Sequence, residues 1–212
     1  MIDPAFRVQV DAALAGVERR EGVRVLLAVE SGSRAWGFAS RDSDYDVRFI
    51  YARPLADYLA VTTLRDVIER PVDGLLDLGG WDVRKTLGLA VRSDAVLLEW
   101  LASPVVHRRD PAASDLATLA QAAAHLPALE YHYDRLARGA WSAEADGPIR
   151  LKSYFYALCP ALALLGLRRH RTPPPRRCWT GCLSARMSRR ILRRCSNGRQ
   201  PLARRTSCRA NR

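Results

Sequence analysis

The chain has 212 residues, 48% of them apolar, enough for one hydrophobic core or for one domain with a small helical annex. Its formal net charge of +12 invites a nucleic-acid reading, but residues 1–146 carry 17 Lys+Arg against 22 Asp+Glu, and residues 147–212 carry 17 Lys+Arg with no acid at all. The basicity therefore belongs to the C-terminal segment. No stretch approaches the roughly 18 apolar residues of a membrane span. Met1-Ile2-Asp3-Pro4-Ala5 lacks the basic flank and apolar core of a secretory leader, so a cytoplasmic protein without a membrane partner is expected.

Asp3-Pro4 is a helix start, with Asp as cap and Pro at the first helical position, and Val8, Val10, Ala13, Leu14 and Val17 follow at helical spacing to Glu21-Gly22. Val23 to Glu30 reads as a buried strand, Ser31 to Gly37 as a turn with one helical turn after Ser33, and Ala39 to Ser43 as polar loop. Tyr45 to Ala52 is a second strand headed by Asp44, followed by a short helix from Pro54 to about Leu59. Val72 to Leu78 suits a third strand, closed by Gly79-Gly80. Asp82 caps a helix to about Val91, Ala95 to Leu101 forms another, and Ser103-Pro104 stops it. Ala112–Ala124, Ala128–Arg138 and Pro148–Leu167 read as helices, the last bent or split at Pro160. Strands first and helices after predict an α+β fold, a small mixed sheet with a C-terminal helical annex.

Residues 31–46, Ser-Gly-Ser-Arg-Ala-Trp-Gly-Phe-Ala-Ser-Arg-Asp-Ser-Asp-Tyr-Asp, carry the chemistry. Alternation on a strand points Asp44 and Asp46 the same way, about 7 Å apart. Two carboxylates aimed at one point repel unless a cation lies between them, and hard oxygen ligands suit Mg²⁺ bridged to substrate phosphates. Gly32 lets backbone come close to a phosphate, and Ser33 offers a hydroxyl and an N–H. The two motifs together read as a metal–nucleotide phosphate site. Asp42 solvates the loop, Trp36 reads as packing, Glu99 and Trp100 read as structural, and the four His have no metal spacing.

Gly32-Ser33 followed by Asp44-x-Asp46 on a strand resembles the nucleotidyltransferase fold of the DNA polymerase β superfamily. Gly32-Ser33-Arg34-Ala35-Trp36-Gly37 with Ser43-Asp44-Tyr45-Asp46-Val47-Arg48 looks like its RNA-repair-pathway subfamily. Asp77-Leu78-Gly79-Gly80-Trp81-Asp82, Leu98-Glu99-Trp100-Leu101 and Lys152-x-Tyr154-Phe155-Tyr156 agree, so the resemblance covers residues 5 to 167. It implies that Asp44 and Asp46 hold two Mg²⁺ ions in an in-line displacement, with Ser33 and Gly32 on the β- and γ-phosphates. A third carboxylate on a neighbouring strand would complete the catalytic set and take part in deprotonating the acceptor. Asp77 is preferred, Asp82 is the rival with a competing helix-cap role, and Asp73 stands further off. Arg34 and Lys152 are carried as nucleotide contacts, and Arg48 is either a phosphate contact or an ion pair. Arg84 and Lys85 read as a solvated face. The implied substrates are an NTP and a hydroxyl acceptor at an RNA end. A protein hydroxyl, a small molecule, or an inactive nucleotide-binding product are the alternatives.

These readings divide the chain into a catalytic domain (1–105), a helical annex (106–170) and a Cys/Arg-rich tail (171–212). The tail has sparse apolar residues, no acids, and 15 Arg without Lys from Arg168 onward. A frameshifted C-terminus of a GC-rich gene is the preferred account, ahead of a disordered RNA-binding arm and of a zinc module on Cys178, Cys182, Cys195 and Cys208.

Overall fold

The computed structural model of the protein describes residues 4–37, 39–40, 43–70, 74–142 and 151–173. Asp3, Asp42, Asp73 and most of the tail lie outside the described residues. The chain begins with α1 (Pro4–Glu21) and β1 (Arg24–Glu30), then a single helical turn, α2 (Gly32–Trp36). β2 (Tyr45–Ala52), α3 (Leu55–Tyr58), β3 (Val67–Glu69) and β4 (Leu76–Asp82) follow. The second half holds α4 (Val83–Val91), α5 (Ala95–Ala102), β5 (Val106–Arg109), α6 (Pro111–Ala122), α7 (Leu126–Ser142) and α8 (Leu151–His170).

The five strands form one sheet in the order β3-β4-β2-β1-β5. Only β2 and β4 run parallel; β1 is antiparallel to both β2 and β5, and β3 is antiparallel to β4. The architecture is therefore α+β with a mixed sheet, as the strand and helix spacing implied. Side-chain alternation gives β1 and β2 two apolar faces. Ala28, Val47, Phe49 and Tyr51 pack with Val10, Leu14 and Val17 of α1, while Leu27, Val29 and Ile50 join α5, α6, α7 and the end of α8. The sheet is a middle layer covered on both sides, which is why Arg24–Glu30 reads as a nearly continuous apolar run. Ala163, Leu164 and Leu167 share that second core with the strands.

Three features differ from the sequence expectation. First, the strand expected over Val72–Leu78 runs instead from Leu76 to Asp82, straight through Gly79-Gly80. The glycines do not close the strand. A side chain at Gly80 would run into the Phe49 ring, so a bare backbone there lets the aromatic lie flat on the sheet. Second, β3 and β5 were not expected. Each is an edge strand of three or four residues, too short to show a period. β5 pairs with β1 and so extends the sheet beyond the boundary drawn at residue 105. Third, α8 is one element despite Pro160. The missing amide costs about 3 kcal/mol, and burial of Ala163, Leu164 and Leu167 outweighs it.

The helix caps follow sequence closely. Asp82 Oδ1 accepts from the Arg84 amide at 2.7 Å, Asp94 Oδ1 from Leu97 at 2.9 Å, and Asp110 Oδ1 from Ala112 at 3.0 Å. Trp81 of β4 stacks on Trp100 of α5 with ring centroids 3.8 Å apart, tying the sheet to the helical layer. Among the described residues no helix is long and apolar enough to cross a membrane.

Two predictions arise from this packing. Gly80→Ala overpacks the sheet against Phe49 and is expected to cost about 2 kcal/mol, read as a lower urea midpoint at unchanged slope. Glu99 accepts a hydrogen bond from Tyr133 Oη at 3.1 Å. Burial pushes its pKa up to about 7, with the Asp94 charge adding to the shift and the Tyr133 bond opposing it. The folded state thus keeps a proton that the unfolded chain loses above about 4.5, so stability falls as pH rises through that interval and stays low above 7. Glu99→Gln should remove that decline, on the order of 1–2 kcal/mol after allowance for partial solvent contact. Melting curves from pH 5 to 8 test it; equal slopes in both proteins would refute it.

Candidate active site

The parallel pairing of β2 with β4 sets Asp46 directly beside Asp77. Alternation puts both on the face where Ile50 and Trp81 meet the helical layer. Asp44, two residues before Asp46 and exposed, shares that side at the mouth of the strands. Asp82 lies at the far end of β4, buried, engaged by the Arg84 amide and by Tyr58 Oη at 3.0 Å. Of the two rival third carboxylates, the register brings Asp77 to Asp46 and Asp82 to Tyr51.

The Gly-Ser turn is docked onto the same strand. The Ser31 amide donates to the Asp46 carbonyl at 2.8 Å. Gly32 has φ of +57°, and any side chain there would collide with the Asp46 carboxylate, so both conformation and space call for glycine. Ser33 is buried within α2. Arg34 does not reach toward the carboxylates. Its Nη2 donates to the Ser43 carbonyl at 2.6 Å and its Nε to that of Asp44 at 3.1 Å, with the guanidinium 3.4 Å above the Tyr45 ring. Tyr45 is itself stacked on Phe6 of α1. Arg34 thus holds the segment that carries Asp44. Trp36 packs near Tyr156, ring centroids 5.9 Å apart, which brings α8 alongside the turn. Lys152 falls in α8, and its side chain lies outside the described part of that helix.

Arg48, two residues after Asp46 on the same face, supplies the counter-charge. Its Nη2 lies 2.6 Å from Asp77 Oδ2 and 3.5 Å from Asp46 Oδ1, and its Nη1 donates to the Asp77 carbonyl at 3.2 Å. Burial raises the pKa of Asp46, and the nearby charges of Asp77, Glu30 and Asp44 raise it further, against the pull of Arg48. Among the described residues no group of three or more His, Cys, Asp or Glu has metal-ligand geometry. The donor chemistry nevertheless suits a hard divalent cation, because the Asp46 and Asp77 carboxylates lie side by side, and burial with neighbouring negative charge makes ionisation of Asp46 costly.

Behind the turn lies a pair that sequence reasoning missed. Glu30 and His107 are completely enclosed, with His107 Nε2 2.9 Å from Glu30 Oε1. Glu30 Oε2 and His107 Nδ1 have no protein partner among the described residues. The Glu30 backbone is clamped as well: its amide donates to the Val105 carbonyl at 3.0 Å, and its carbonyl accepts from Ser103 Oγ at 2.6 Å. An acidic residue ending an otherwise apolar strand was the one available signal.

Paired carboxylates on parallel strands, beside a Gly-Ser turn in a five-stranded mixed sheet, define a nucleotidyltransferase fold. The chain belongs to the RNA repair pathway DNA polymerase beta family, which it matches over residues 6–192. The matched range extends past residue 167 and into the segment set apart as a tail. The chain is also 45% identical, over 161 residues, to the uncharacterized protein YcgL of Bacillus subtilis (strain 168); the alignment takes in 75% of this chain and 62% of that relative.

Removing the bridging cation tests the electrostatics of the site. Arg48→Met should leave Asp46 and Asp77 in mutual repulsion, with a loss of about 1 kcal/mol at pH 7 for these partly solvated groups. Without the Arg48 charge the Asp46 pKa rises further, so the loss should shrink as pH falls through the carboxylate range. Urea denaturation at pH 7 and pH 4.5 reads the difference; a deficit independent of pH would mean that Arg48 acts through packing alone.

Proposed function

We propose that the protein is a Mg²⁺-dependent nucleotidyltransferase that moves a nucleoside monophosphate from an NTP to a hydroxyl at an RNA end, releasing pyrophosphate. The observation that carries this reading is the register of β2 against β4, which pairs Asp46 with Asp77 under a turn whose Gly32 leaves no space for a side chain. Family membership supports nucleotidyl transfer in general.

Asp44, Asp46 and Asp77 would hold the metal, which supplies charge neutralisation of the triphosphate and of the attacking and leaving oxygens. Gly32 and Ser33 would approach the terminal phosphates, since a backbone without Cβ admits a phosphate oxygen closely. Asp77 would take the proton from the acceptor hydroxyl as its oxygen forms a bond to the α-phosphorus and the bond from α-phosphorus to the bridging oxygen breaks. Arg34 would act indirectly, by fixing the Ser43–Asp44 backbone. Arg48 stands where it can balance charge on Asp46 and Asp77 or on an incoming phosphate.

The test is transfer of label from α-labelled NTPs to short RNAs with Mg²⁺, beside Asp46→Ala. The variant should lose at least about a hundredfold in rate, in line with removal of a principal charge-stabilising group. Undiminished transfer would remove the carboxylate assignment, and label appearing on the protein itself would move the acceptor away from RNA.

A further inference from the structure

The crossover from β2 to β4 encloses a second feature, remote from the carboxylates. A cavity of about 360 Å³ lies between the loop after α3 and the first turn of α4. It opens where β2 and β4 end. Asp46 to Arg53 is seven residues of strand, about 23 Å from the site described above. The volume falls in the range of small-ligand pockets.

Its walls carry the side chains of Arg53, Arg65, Arg84 and Lys85 against Asp57, Asp66 and Asp82. Most of these charges are already matched. Lys85 Nζ lies 3.1 Å from Asp66 Oδ1, Arg65 Nη2 lies 2.6 Å from Glu69 Oε2, and Asp82 caps α4 and accepts from Tyr58. Arg53 and Arg84 are left with no carboxylate among the described residues. Arg53 Nη2 donates to the Arg65 carbonyl at 3.4 Å, and its guanidinium also interacts with Tyr51, 5.4 Å from the ring centroid, so both of its neighbours are neutral groups. Arg84 is exposed, its amide bonded to the Asp82 cap and its side chain without an ion-pair partner among the described residues. α4 places Arg84 and Lys85 in its first turn, next to the Asp82 cap that complements the helix dipole. Leu64 and Ala60 supply apolar wall, and Leu64 stays 45% exposed.

We propose that this cavity is a second, metal-independent site for a nucleotide phosphate ester. Arg53 and Arg84 hold the phosphate through charge-assisted hydrogen bonds, and Leu64 lies against the nucleoside. The ester has two possible sources with the same chemistry, a free mononucleotide or the phosphorylated end of an RNA strand. The inference does not rest on the transfer reaction, and it is tested without metal.

Equilibrium dialysis of the full chain in EDTA at low ionic strength, with AMP, a 5′-phosphorylated RNA tetranucleotide and inorganic phosphate, is the experiment. Saturable binding of AMP or the tetranucleotide is expected, tighter than inorganic phosphate. Arg84→Met should weaken it by about tenfold or more, in keeping with the loss of a charge-assisted bond. Asp46→Asn should leave it unchanged. The exposed Arg84 side chain has no ion-pair partner among the described residues, so the variant should melt as the parent does; Arg84→Lys, which keeps the charge but not the fork, should show an intermediate loss. A tetranucleotide that outcompetes AMP assigns the site to an RNA end, and the reverse order assigns it to free nucleotide. No saturable binding of either, inorganic phosphate binding as tightly as both, or a loss caused by Asp46→Asn and not by Arg84→Met would overturn the proposal. Absence of nucleotidyl transfer would leave this result untouched.

Discussion

The candidate site depends on the parallel pairing of β2 with β4. In a parallel ladder, residues in register present their side chains to the same face. That places Asp46 and Asp77, 31 positions apart in sequence, next to each other. The pairing in turn needs a crossover, and the chain supplies it with α3 and the edge strand β3 before β4 returns between β3 and β2. A one-residue slip in this register would turn Asp77 to the α1 side and bury a carboxylate among Val47, Phe49 and Leu14, while Leu78 turned away from that core. The apolar pattern of β4 therefore protects the site: Leu76 and Leu78 pack toward α1 while Asp77 faces away.

Two glycines act through the space they leave open. Gly32 brings the Ser31–Ser33 backbone against the Asp46 carboxylate in a left-handed conformation, and Gly80 lets Phe49 lie on β4. The first shapes the site and the second steadies the strand that carries Asp77. Both are close-approach positions, where any side chain would force the two neighbours apart.

Charge is managed in layers. Arg48 sits between the two strand carboxylates, and Arg34 ties the loop bearing Asp44 to the Tyr45 ring. Glu30 and His107 form an enclosed pair behind the turn, with the Glu30 backbone clamped by Ser103 and Val105. Burying such a pair is costly unless it is well bonded. The negative field of Glu30 is felt at Asp46, so the buried pair and the open site are electrostatically linked. Near the opposite end of these strands, Arg53 and Arg84 form no ion pair among the described residues, in contrast to Arg48 beside Asp46 and Asp77.

Local signals determined much of this protein. Proline and aspartate marked the starts of α1 and α4, because capping is a short-range interaction between adjacent residues, and the Asp94 and Asp110 caps of α5 and α6 obey the same local rule. The apolar runs marked β1 and β2, and the Asp44-x-Asp46 spacing showed a shared face, because strand alternation is a property of the backbone itself. The α+β class followed from the order of these elements. Tertiary structure alone decided the rest. Whether Asp77 or Asp82 joins Asp46 is a matter of register between strands far apart in sequence. The edge strands β3 and β5 owe their form to their neighbours and not to any period of their own. Pro160 is tolerated, and Gly79-Gly80 lies inside a strand, because burial against α7 and Phe49 outweighs local preference. The joining of Glu30 to His107, and of Arg48 to Asp77, is set by where distant strands meet, which no local pattern encodes.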